Sequence, residues 1–223
     1  MKCNIINVEE EISYSIGLML QKSVLYNIKN NNDAYDTLIL LRHKPTITLG
    51  YFANNKNILA PDNVLLPRGI HIHKTDRGGD VTYHGPGQLI CYPIIDVHRK
   101  GLQQYKSKLC QSLIDLLGQY DISAEEGHKK LSGIWVGDKK IAAIGYALKK
   151  IKDRERTKVI TMHGFALYVF DEMENFHYIN PCGMPEIKLT NMEQILGRRI
   201  DFKELKDTYV NTFIKIFNYE IDE

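Results

Sequence analysis

Residues 88–97, QLICYPIIDV, are apolar at nearly every position. A strand with one wet face alternates apolar and polar residues, and this one does not. It predicts a strand inside a sheet covered on both faces. The covering material is legible elsewhere in the chain. Leu102, Tyr105, Leu109, Leu113, Leu116 and Leu117 form the stripe of one amphipathic helix, and Phe202, Leu205, Tyr209, Phe213 and Ile216 form another. Ile12, Ile16, Met19, Leu20 and Val24 predict a third over residues 9–29.

Further strands are expected at Thr37–Leu41 and Thr46–Leu49, split by Pro45, and around Ile70 and Ile72, which alternate with His71 and His73. GIWV and KIAAIGYAL flank Gly137 and Asp138, a turn pair that predicts a hairpin. VITMHGFALYVF reads as a strand pair or one long bent strand with Gly164 at its middle. Strands outnumber helices, and the helices fall at the beginning, middle and end. That order predicts an α+β fold, a mixed β-sheet flanked by helices, rather than strict βαβ winding. No Pro/Gly/Ser-rich linker divides the chain, so residues 1–223 read as one domain, with a smaller C-terminal lobe conceivable from about residue 181.

The 29 Lys and Arg residues against 27 Asp and Glu leave a net charge of +2, too weak to argue for nucleic acid. No apolar run approaches the ~20 residues that span a bilayer. The start, MKCNIINVEEEIS, turns acidic early and lacks the apolar stretch of a secretory signal, from which a cytoplasmic location is expected. Cys3, Cys91, Cys110 and Cys182 have no CxxC or zinc-knuckle spacing and read as free thiols. No metal site is expected.

Chemistry concentrates in four places. Arg77 to Gln88 (RGGDVTYHGPGQ) packs four glycines and a proline into twelve residues, a composition for sharp turns and for backbone N–H groups close to a ligand. It is neither a Walker A loop nor a dinucleotide-binding fingerprint, and on residue type alone it also suits a plain Gly-rich hairpin. Asn180-Pro181-Cys182-Gly183 holds a thiol in a turn, where on the residues alone a packing cysteine is the commoner reading than a nucleophile. Lys140 leads directly into the apolar Ile141-Ala142-Ala143-Ile144-Gly145, and His163-Gly164-Phe165-Ala166-Leu167 puts a His-Gly pair in a strand.

Together and in this order, RGGDVTYHGPGQLICYP, GIWVGDKKIAAIG, HGFAL and INPCG resemble the lipoate-protein octanoyltransferase, or lipoyl(octanoyl) transferase, family over residues 40–200. The resemblance implies a fold similar to the catalytic domains of biotin and lipoate protein ligases. It implies Cys182 as the acyl-accepting nucleophile and Lys140 as the partner that favours its thiolate. Substrate-binding stretches map onto Arg77, Gly78, Gly79, Asp80, Val81, Thr82, Tyr83 and His84, onto Ala143, Ile144 and Gly145, and onto Gly164, Phe165 and Ala166.

The implied donor is octanoyl-acyl carrier protein. The implied acceptors are lipoyl domains of 2-oxoacid dehydrogenase E2 subunits and the glycine cleavage H protein. No cofactor, nucleic acid or membrane is implied. Val81, Tyr83, Ala142, Ile144 and Phe165 are candidates for an apolar slot, and N–H groups of the Gly78/Gly79 turn or near Gly145 for an oxyanion site. The stretch Lys149 to Lys158 (KKIKDRERTK) is longer than the family pattern; it is a basic surface for an acidic carrier or a solvated loop. An ATP-dependent lipoate or biotin ligase and a non-catalytic acyl-carrier-binding protein stay open as alternatives.

Overall fold

The computed structural model describes residues 2–31, 33–97, 101–128, 132–152, 157–170 and 173–221. Strand β1 (Lys2–Ile12) leads into helix α1 (Tyr14–Asn30), then β2 (Asp36–His43) and β3 (Thr46–Leu49). A short helix α2 (Asp62–Leu65) precedes β4 (His71–Lys74), β5 (Val81–His84) and β6 (Gln88–Ile94). After α3 (Leu102–Gly118) come β7 (Glu125–Glu126), β8 (Ile134–Val136), β9 (Lys139–Lys152) and β10 (Thr157–Tyr168). β11 (Lys188–Leu189), α4 (Met192–Leu196), α5 (Phe202–Phe217) and β12 (Glu220–Ile221) follow.

Among the described residues these strands form two sheets. The larger runs β12-β1-β2-β6-β10-β9-β8-β7, with β11 parallel beside β9; the smaller is β4-β3-β5. β1 pairs in parallel with β2 and β12, and the remaining neighbours along the large sheet are antiparallel, so the sheet is mixed. β6 lies inside it, covered on both faces as its composition requires. Leu89 and Cys91 point into one core with Leu109 and Leu113 of α3 and Tyr209 and Phe213 of α5. Ile90, Tyr92 and Ile94 point into a second core with Ile47 of β3, Val81 and Tyr83 of β5 and Ile28 of α1. Each such side chain removed from water contributes roughly 1.5–3 kcal/mol. The α5 stripe is thus part of the same core as α3.

The β8–β9 hairpin turns at Gly137 and Asp138, with Gly137 at φ 59°. VITMHGFALY, residues 159–168, belongs to one long strand, β10, paired with β9 through Leu167, and Val169 and Phe170 follow it. Gly164 is required there, because a Cβ would stand 2.2 Å from the Cys91 carbonyl oxygen of β6. Lys149 to Lys152 and Thr157 to Lys158 are the ends of the β9 and β10 strands, and residues 153–156 of the basic stretch lie outside the described residues.

The first helix differs from expectation. It begins at Tyr14 behind the N-cap Ser13, and residues 2–12 are a strand that pairs with β2. Its predicted stripe is right in part: Ile12, Leu20 and Val24 pack against the second core, whereas Ile16 and Met19 are 49% and 68% exposed and Tyr14, Gly17, Gln21 and Ile28 are the buried positions. Gly17 is needed because His43 lies against it; an added Cβ would meet the imidazole at 2.5 Å. The buried face of α1 is therefore partly polar, and apolar periodicity cannot find such a face.

Candidate active site

Asn180 to Gly183 makes a tight turn closed by Gly183 N donating to the Asn180 carbonyl (3.0 Å) and Met184 N to that of Pro181 (3.0 Å). Cys182 stands in it at φ 58°, ψ 22°, a left-handed conformation that a non-glycine residue adopts at a cost of about 1–3 kcal/mol. The turn projects its thiol to a half-buried position, whereas Cys3, Cys91 and Cys110 are buried. Burial pushes the Cys3 and Cys110 thiols up to about 12 and Cys91 well above its ordinary range, so these three stay protonated and inert at neutral pH.

Lys140, 42 residues earlier in the chain, places Nζ 3.3 Å from Cys182 Sγ. It enters near the start of β9, held by pairing with Leu189 of β11 and by Thr190 N donating to its carbonyl (3.0 Å). Its side chain is 2% exposed and lies against Gly133, where a Cβ would meet Cε at 2.5 Å. The Nζ stands 5.9 Å from the Trp135 ring centroid. Among the described residues no carboxylate forms an ion pair with it. Burying a lysine amine costs free energy, which the contacts with the sulfur and the indole face partly offset.

The pair opens onto a cavity of about 440 Å³, a size suited to a small ligand. Its apolar wall is Ala143, Ile144 and Gly145 of β9 and Gly164, Phe165 and Ala166 of β10; its polar wall includes Arg77, Gly78, Gly79, Asp80, Thr82 and His84. Val81, Tyr83 and Ala142, expected in the apolar slot, do not line this cavity. Val81 and Tyr83 point to the opposite face of β5 into the second core, and Ala142 lies in the first. Tyr14, Tyr92, Lys106, Ser132, Tyr146, His163 and Met184 complete the lining. Of these, Tyr14, Lys106, Ser132 and Met184 lie in no motif. Tyr146 continues the Ile144 side of β9, which strand alternation alone would extend.

The Gly-rich segment is braced from inside. Arg77 donates from Nε and Nη2 to Thr48 Oγ1 (3.0 and 2.9 Å), and from Nη2 and Nη1 to the carbonyls of Asp80 (2.7 Å) and Gly78 (3.0 Å). Gly78 N donates to the Tyr146 carbonyl at 3.0 Å, so that N–H is not free for the oxyanion role expected of it. Asp80 accepts from Val81 N (2.7 Å), Asn54 N (3.0 Å) and Asn57 Nδ2 (2.6 Å). The Asn57 carbonyl in turn accepts from Asn180 N (2.8 Å), so Asp80 ties the loop to the cysteine turn.

The histidines are set by burial. His43 Nδ1 donates to the Ile12 carbonyl (3.2 Å), leaving Nε2 to accept from Tyr92 O–H (2.8 Å); burial lowers this imidazole to about 4, so it is neutral. Burial likewise holds His84 well below its usual value. Gln88 Nε2 donates to the Tyr83 carbonyl, so its Oε1 accepts from His84 Nδ1 (3.2 Å), and His84 Nε2 keeps a lone pair. His163, at φ 60°, directs Nε2–H at Asp76 Oδ1 (2.9 Å). That bond, joined by one from Lys149, holds the Asp76 carboxyl far below the usual carboxylate range.

The fold and the cavity place the molecule in the structural class of lipoate and biotin protein ligases. It superposes on a putative lipoate protein ligase from T. acidophilum with a TM-score of 0.78 at 16% identity, covering 100% of this chain and 89% of that one. A biotin protein ligase from Aquifex aeolicus gives 0.51 at 15% identity, covering 98% and 70%. The family model described as the lipoyl protein ligase A/B catalytic domain matches residues 13–214, and the chain belongs to that family. Curated relatives named octanoyltransferase include one from Alkaliphilus metalliredigens, 38% identical over 100% of this chain and 99% of its own, and one from Solibacter usitatus, 41% identical over 94% and 91%. The chain is an acyltransferase of their kind.

Proposed function

We propose that the protein transfers an octanoyl or lipoyl group from the thioester of an acyl carrier protein to one lysine of a lipoyl domain, through a thioester on Cys182. The observation that carries this reading is the 3.3 Å approach of Lys140 Nζ to Cys182 Sγ at the mouth of a cavity with an apolar wall. Lipoyl domains of 2-oxoacid dehydrogenase E2 subunits and the glycine cleavage H protein are the acceptors we infer; the relatives' name supports acyl transfer as such.

In the first half, Lys140 takes the Cys182 proton and Sγ attacks the thioester carbonyl carbon. A new C–S bond forms to Cys182, the carbon's bond to the carrier sulfur breaks, and the departing thiolate recovers a proton from Lys140. In the second half, neutral Lys140 takes a proton from the incoming lysine ammonium. The freed amine attacks the acyl-enzyme, a C–N bond forms, the attacking nitrogen gives up its second proton to water, the bond to Sγ breaks and the thiolate returns to its place beside the ammonium. Thioester-to-amide transfer is downhill, so the reaction consumes no nucleotide. The small residues of β9 and β10 leave room for the chain.

Intact-mass measurement after incubation with octanoyl carrier protein tests the reading. An octanoyl mass gain is expected in the native protein and in Cys91→Ser, and its loss in Cys182→Ser. The rival is an ATP-dependent ligase, since a lipoate-protein ligase A solved with bound ATP shares the fold (TM-score 0.76, 15% identity, covering 100% of this chain and 88% of that one). ATP/pyrophosphate exchange that survives in Cys182→Ala would favour the rival.

A further inference from the structure

Negative charge must collect on the acyl carbonyl oxygen each time the carbon at Cys182 becomes tetrahedral, and a donor has to meet it. The buried side chains of the cavity wall are nearly all committed. Tyr14 O–H donates to Thr75 Oγ1 at 2.9 Å and Tyr92 O–H to His43. Arg77 is spent on Thr48 and the loop carbonyls, and His163 Nε2–H on Asp76. His84 turns a lone pair, not a proton, away from Gln88, and Lys140 serves the sulfur.

Thr82 is the exception. It is 5% exposed and lines the cavity, and its Oγ1 makes no hydrogen bond of good geometry, with only a weak approach to the Tyr168 hydroxyl. Buried hydroxyls without a partner are rare, because the group has given up water for nothing. Strand alternation aims it: Val81 and Tyr83 go into the second core, so Thr82 and His84 face the cavity. The strand that carries it packs against the Pro181–Gly183 turn that carries Cys182.

We propose that the Thr82 hydroxyl donates the hydrogen bond that holds the carbonyl oxygen of the acyl group during its transfer to and from Cys182. This rests on the Cys182 thioester reading above. In the resting protein the hydroxyl makes only its weak approach to Tyr168; in the tetrahedral state it meets an oxyanion, so the bond strengthens where the barrier lies.

The test is rapid-quench mass spectrometry of Cys182 acylation by octanoyl carrier protein, in the native protein, Thr82→Val and Thr82→Ser. Valine keeps the shape and removes the donor. It is expected to slow acylation at saturating donor by ~10²–10³-fold, the usual loss for one oxyanion donor, with the half-saturating donor concentration unchanged. Serine is expected to restore the rate to within about tenfold. The melting temperature of Thr82→Val should stay level or rise, the opposite of what loss of a structural hydrogen bond gives. Native rates in Thr82→Val, a loss seen only as weaker donor binding, or equal losses in Val and Ser would overturn the assignment. Should the Val variant not fold, Thr82→Ala is read against Thr82→Ser by the same criteria. Absence of any Cys182 adduct in the native protein would instead remove the thioester reading on which the proposal stands.

Discussion

Cys182 holds a backbone conformation that disfavours any side chain, and Lys140 is a polar side chain with 2% of its surface in water. Both cost stability, and both are sustained by neighbours: the Asn57–Asn180 tie for the turn, and Gly133 and Trp135 around the lysine. Buried ions replaced by apolar groups of similar volume often leave stability unchanged or raised. Lys140→Met is therefore expected to lower the rate of Cys182 acylation by ~10²–10⁴-fold, the usual value of a positioned base, with no fall in melting temperature. Calorimetry and single-turnover mass analysis on the same sample check both halves. A large loss of stability would show that Lys140 acts as a structural strut.

At the scale of elements, the site is built where β9 and β10 run close to their neighbours. Gly164 brings β10 against β6, and Gly145 lets the Gly78 carbonyl approach to where a Cβ would stand 2.9 Å away. Gly164→Ala must push a methyl to 2.2 Å from the Cys91 carbonyl oxygen and 2.7 Å from Pro93 Cδ. Overpacking of this kind costs about 1–3 kcal/mol or more, and the urea midpoint is expected to fall accordingly. Gly118→Ala, at the end of α3 with nothing within 4 Å, is the matched control and is expected to be neutral or stabilising by up to ~1 kcal/mol. Equal effects at the two positions would contradict the close approach. Segments such as RGGDVTYHGPG and HGFAL announce these contacts in sequence because close backbone approach demands glycine. The inward polar face of α1, with Tyr14 and Gln21, has no such mark.

For the whole molecule, two cores on opposite faces of one sheet leave several titratable groups without water. His43 is the clearest: its value falls from 6.5 unfolded to about 4 in the folded protein, because burial penalises the imidazolium. A lowered folded value means that the unfolded chain binds the proton first. The stabilisation is then complete above about pH 6.5 and is lost as pH falls toward 4, on the order of 3 kcal/mol at 1.36 kcal/mol per unit. His84 acts with the same sign. In His43→Gln, the drop in urea-unfolding free energy between pH 7 and pH 4.5 is expected to shrink by up to that amount; an unchanged drop would refute the buried-base account. The amino-acid order alone determined the both-faces strand at 88–97, the helices over α3 and α5 and the β8–β9 turn, since apolar period and glycine demand are local properties; the chemistry expected of Cys182 and Lys140 came through the resemblance to a known family. Tertiary structure alone decided that a lysine and a cysteine 42 residues apart meet at 3.3 Å, that Val81 and Tyr83 turn away from the cavity, and that Thr82 stands there without a hydrogen bond of good geometry. Those outcomes depend on which face of each strand the packing of two cores assigns inward, and on which donors their neighbours have already taken; neither is encoded at the residue concerned.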